Sequence, residues 1–122
     1  MPSVEKFEDL RCWMAARELV NLVFNFCSSG KLARDFGTSD QFKRAALSVM
    51  NNIAEGFGRT SRREFIRFLD IAQRSSMEVK SITYVLEDLN YLNSEVAQTI
   101  RSKSEEAKSM IRALMISLAG NR

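Results

Sequence analysis

At 122 residues the chain is long enough to bury one hydrophobic core and too short for two, so a single domain is expected. Its 5 glycines and 1 proline are few breakers, which permits long helices and disfavours a many-stranded β fold; 45% hydrophobic and 27% charged residues match an ordinary water-soluble protein. The net charge is a modest +3, and no apolar run approaches the roughly 20 residues of a membrane span.

Pro2 belongs to the terminal tail, and residues 1–11 mix acidic and basic side chains, unlike a signal peptide, so the cytoplasm is the expected compartment. The first helical stretch covers about residues 9–29. Trp13, Val20, Phe24 and Cys27 share one line at 100° per residue, Leu19, Val23 and Phe26 widen it, and Arg11, Arg17, Glu18, Asn21 and Asn25 take the other side. Gly30 and the segment KLARDFG stop it. The second stretch begins at Thr38–Asp40, a cluster of good N-caps with Gln41 three residues after Thr38, and turns Phe42, Ala45, Ala46, Val49, Ile53 and Ala54 inward.

The stretch NNIAEGFGRTSRREF, residues 51–65, reads as a joint between helices. Gly56 stands where a helix end favours left-handed geometry, and Ser61 with Glu64 forms the capping box of the next helix. Gly56 and Gly58 form Gly-x-Gly with no third glycine and no Gly-Lys-Ser/Thr, which speaks against a nucleotide loop. The third helix, residues 62–91, has two apolar lines. Phe65, Phe68, Leu69, Ala72, Val79, Ile82, Leu86 and Leu89 form the core line. Ile66, Gln73, Met77, Tyr84 and Tyr91 form a second about 140° away, and a second stripe implies a neighbour outside the domain's own core. Scattered surface apolar residues are the plainer reading of that line. Asn93–Glu95 caps a fourth helix to residue 118, with Val96, Ile100, Ala107, Met110, Ile111, Leu114 and Leu118 inward and Arg101, Lys103, Glu105, Glu106, Lys108 and Arg112 on its polar face. Four amphipathic helices with short links predict an all-α, up-down antiparallel four-helix bundle.

FEDLRCW at 7–13, FGTSDQFKRAALSVMNNIAEGFGR at 36–59 and SRREFIRFLDIAQRSSMEV at 61–79 resemble the four-helix-bundle family named after 23S ribosomal RNA intervening sequences. Asn52, Ile53, Ala54, Glu55, Gly56, Gly58 and Arg59 carry its most specific motif. The resemblance implies a cytoplasmic bacterial protein that assembles as a homopentamer. Some similar proteins are accessory to diversity-generating retroelements and bind nucleic acid beside a reverse transcriptase.

The residues themselves offer little chemistry. No His is present, which removes the commonest general base and metal ligand. Cys12 and Cys27, fifteen apart on one helix, read as small apolar residues and make neither a zinc cluster nor a partnered nucleophile. Glu55 near Asn52 is expected to be a hydrogen-bonding pair rather than a catalytic one. No enzyme activity, cofactor, metal or small-molecule substrate is therefore expected. Between residues 43 and 74, seven cations (Lys43, Arg44, Arg59, Arg62, Arg63, Arg67, Arg74) face three acids (Glu55, Glu64, Asp70), a local +4 that exceeds the +3 of the whole chain. Repetition in an oligomer would make this a surface able to follow the phosphates of RNA or DNA. The plainer reading is a solvated face, with Asp70 and Glu78 spaced to pair with Arg74, and no aromatic platform interleaves these arginines. Nucleic-acid binding by a self-assembled bundle is the leading expectation. The rivals are a scaffold or protein-interaction module, and an accessory subunit of a reverse transcriptase.

Overall fold

The structure, a computed structural model, describes residues 4–120; Pro2 lies outside them. Among the described residues there are helices and no strands: a 3-10 turn Phe7–Asp9, then α1 (Arg11–Cys27), α2 (Gly30–Arg34), α3 (Phe36–Phe57), α4 (Arg62–Asp88) and α5 (Ser94–Gly120). The four long helices pack in a ring in which α1 touches α3 and α5, and α4 touches the same two from the opposite corner. Neighbours run antiparallel. Ser48 meets Ser75, Lys80 meets Glu105, Lys103 meets Glu18, and the Cys27 thiol lies against the Ser39 carbonyl. None of these helices is long and apolar enough to cross a membrane.

One core runs through the ring, with Leu19, Val23, Phe42, Ile53, Leu69, Leu86, Ile100 and Ile111 fully enclosed. Small buried hydroxyls let the helices approach closely. Ser76 donates to the Ser104 carbonyl, Ser104 to Ile100, and no buried side-chain polar atom among the described residues lacks a partner.

Several boundaries differ from the sequence reading. The first helix starts at Arg11, because residues 7–9 form the 3-10 turn, which places Phe7 edge-on to Trp13 at 5.3 Å. KLARDFG is not a simple stop. Gly30 takes a left-handed φ of 71°, and α2 then forms behind it because Leu32, 1% exposed, fills the core. The next helix begins at Phe36 rather than at Thr38–Asp40. Asp35 is the cap and accepts from the Thr38 amide (3.2 Å) and hydroxyl (2.9 Å), so Thr38 is a donor to the cap rather than the cap itself. α4 ends at Asp88, three residues short of Tyr91. Asn90 turns left-handed (φ 60°), the Tyr91 amide reaches back to Leu86 and the Asn90 amide to Glu87, the paired bonds of a Schellman ending. Leu89 consequently leaves the core and is exposed. Ser61 and Asn93 cap α4 and α5 as expected, accepting from the amides of Glu64 and Val96.

Candidate nucleic-acid interface

The corner between α3 and α4 is built on close packing. A Cβ on Gly56 would lie 2.7 Å from the Phe68 Cβ and 3.3 Å from the Phe65 carbonyl, so only glycine lets α4 come this near. Gly56 is thus the last buried residue inside α3, not a left-handed end. Gly58 closes the helix with an ordinary φ of −77°. The Arg59 amide bonds back to Gly56 at 3.1 Å, and Phe57 meets Phe65 edge-on at 6.0 Å.

On this corner Arg59, Arg62, Arg63 and Arg67 are all exposed. The Phe68 ring, itself buried, carries two of them: the guanidinium carbons of Arg59 and Arg67 stand 4.7 and 4.8 Å from its centroid. Phe68 is an aromatic between the arginines, but its ring is occupied by them and offers no face to a base. Glu64 binds Arg67 at 3.3 Å, and that contact holds its carboxyl below the usual range. Arg62 and Arg63 line, with Ile66, a shallow cleft of about 300 Å³ whose other wall is Leu118 and Ala119 of α5. Four arginines against one carboxylate over residues 59–67 leave +3 there, equal to the charge of the whole chain.

The other three cations lie elsewhere. Lys43 and Arg44 sit about 20 Å back along α3, and Arg74 about 18 Å along α4 from Arg62, at 1.5 Å rise per residue. Arg44 is paired with Asp40 at 2.8 Å and Arg74 with Asp70 at 3.1 Å, while Lys43 stands 5.5 Å over the Phe24 ring. Phe24, expected in the core, is instead 39% exposed.

Asn52 and Glu55 do not pair. The Asn52 amide nitrogen donates to the Ser48 carbonyl (2.8 Å) and hydroxyl (3.0 Å), and Ser48 bonds Ser75 at 2.8 Å, so Asn52 ties α3 to α4 through Ser48. Glu55 points out to solvent. Both cysteines are buried thiols: burial pushes Cys12 up to about 11 and Cys27 up as well. Among the described residues no group of three or more Cys, Asp or Glu converges as a metal site.

The second line of α4 divides. Ile66 packs against the core, Gln73 bonds Asp70, and Tyr91 is beyond the helix, donating its hydroxyl to Asp35 at 2.9 Å. Met77 is half-buried and Tyr84 is 51% exposed. Beneath Tyr84 lies Arg101, which the sequence reading put on a polar face and the structure buries to 8% exposure. Its guanidinium stacks on Tyr84 at 4.2 Å and donates to Glu87 (2.9 Å), Thr83 (3.2 Å) and Gln98 (3.4 Å). The signal was present in the spacing, since Arg101 lies four after Ala97 and three before Ser104, both inward.

A family model described as the 23S rRNA-intervening sequence protein matches residues 8–113. No curated protein matches the chain. Among solved structures, a protein of unknown function from the S23 ribosomal protein family of Bacteroides thetaiotaomicron VPI-5482 is similar with a TM-score of 0.77, covering 85% of this chain and 97% of that one. At 23% identity that likeness is one of fold. With the family pattern running from the 3-10 turn through most of α5, the chain belongs to the 23S rRNA-intervening sequence protein family.

Proposed function

We propose that the protein is a non-enzymatic, self-assembling helical bundle that binds structured RNA or DNA through the α3–α4 corner. The observation that carries this reading is the gathering of Arg59, Arg62, Arg63 and Arg67 on one corner with Glu64 as the lone acid among them. Two of the guanidiniums rest on the Phe68 ring, which limits the freedom they would lose on gripping a phosphate. Lys43, Arg44 and Arg74 are assigned no part in this corner.

Phosphate contacts release counterions, so affinity falls by roughly one log unit per log unit of salt for each phosphate held. The test is binding to a ribosomal RNA fragment and to duplex DNA at two salt concentrations, for the wild type and for Arg62→Glu with Arg63→Glu. Loss of binding at unchanged assembly mass supports the corner. Absence of wild-type binding at low salt rejects it in favour of a second reading, a protein-interaction scaffold, which the exposed Tyr84 and Val85 of α4 and Leu89 at its C-cap favour.

A further inference from the structure

At the other end of the bundle, where α2 meets α3, Phe36 is 80% exposed, more than any other large apolar side chain among the described residues. It lies about 30 Å along α3 from the arginine corner, at 1.5 Å per residue. The backbone that carries it is anchored on both sides. Leu32 is sunk in the core, and Asp35 is held by Thr38 and by the Tyr91 hydroxyl. Gly37 follows, and the space a Cβ would take there is open.

The ring stands between two clefts. One, of about 650 Å³, is walled by Lys31, Arg34 and Tyr91; the other, of about 500 Å³, by Ala33, Ser39 and Lys43. None of Lys31, Arg34 and Lys43 forms an ion pair among the described residues. Of the two nearby acids, Asp35 is committed to three donors and Asp40 to Arg44. The patch is therefore an exposed aromatic flanked by cations, complementary to a polyanion that also presents ring faces. Unpaired nucleic acid has both; a duplex buries its base faces in its own stack. A symmetric contact with a second copy would set these cations against one another.

We propose that Phe36 stacks an unpaired nucleobase while Lys31 and Arg34 on one side, and Lys43 on the other, contact the adjoining phosphates. This site is separate from the arginine corner and stands or falls independently of it. The probe is a single-stranded 2-aminopurine oligonucleotide of about a dozen nucleotides, whose fluorescence is quenched on stacking, with the matching duplex as control. Wild type quenches the probe. Phe36→Ala weakens single-strand binding roughly tenfold and removes the quenching, Phe36→Trp retains both, and Lys31→Glu with Arg34→Glu weakens binding and flattens its salt dependence. Because Phe36 is outside the core, helicity by circular dichroism stays unchanged in each variant. Arg62→Glu with Arg63→Glu preserves the quenching, which separates failure at the corner from failure here. Single-strand affinity in Phe36→Ala equal to that of the wild type overturns the proposal. So does a lower assembly mass for Phe36→Ala by light scattering, since the ring would then seat against a second copy.

Discussion

Gly56 and Arg101 each carry a constraint out of proportion to what their residue type suggests. At Gly56, α3 and α4 touch closely, with the Phe68 Cβ and the Phe65 carbonyl both inside the reach of an added methyl group. A backbone carbonyl cannot rotate away as a side chain can, so the helices themselves must part. Gly56→Ala is expected to cost about 1–3 kcal/mol, the usual range for overpacking, read as a lower urea midpoint at unchanged slope. An unchanged midpoint would mean that the contact yields without strain. Arg101 is the opposite kind of constraint, a buried charge made tolerable because Glu87, Thr83 and Gln98 take its donors and Tyr84 covers its face.

At the scale of elements, the corners decide where helices start and stop, and each uses a different device: a glycine at positive φ opening α2, Asp35 before α3, Ser61 before α4 and a left-handed Asn90 after it. Asp35 does the most, since it caps α3 and also holds Tyr91 from the α4–α5 corner. The Thr38 amide, the Tyr91 hydroxyl and the Thr38 hydroxyl lower its carboxyl below the ordinary 3.8. A depressed folded value means that the stability it contributes is present above the ordinary value and is lost as pH falls through the folded one. Asp35→Asn is therefore expected to be less stable than the wild type at neutral pH, with the gap closing below about pH 4. Urea titrations across that range measure it, and a gap that stayed constant into acid would remove the charge from the account. Tyr91 is shifted the other way, upward, by donating to Asp35, so its share is present below its ordinary 10.0 and is lost in alkali.

For the whole molecule the open property is assembly. With Ile66 packed on the core and Tyr91 bonded to Asp35, the outward line of α4 reduces to Met77 and Tyr84, extended by the exposed Val85 and Leu89. The expectation is an oligomer, five chains by the family resemblance. Light scattering should return a multiple of 13.9 kDa at micromolar concentration, and Met77→Glu with Tyr84→Glu should weaken assembly more than it unfolds the bundle, read as a lower mass at largely retained helicity. A wild-type monomer rejects it.

The four long helices, most of their core lines and the caps at Ser61 and Asn93 were legible in the residue pattern, because burial repeats at the helical period and capping is decided within four residues; the short α2 was not, since five residues are too few to show a period. The seven-cation run was legible too, as composition. The division of that run was not: Arg44 and Arg74 are paired within their own helices, and four arginines share a corner because Gly56 lets α4 fold back onto α3. Equally hidden was the exposure of Phe36 and Phe24. Each depends on which neighbouring helix covers a position, and a single helix period does not contain that fact. Hydrophobic spacing says which face turns inward; only the packed ring says where its coverage ends.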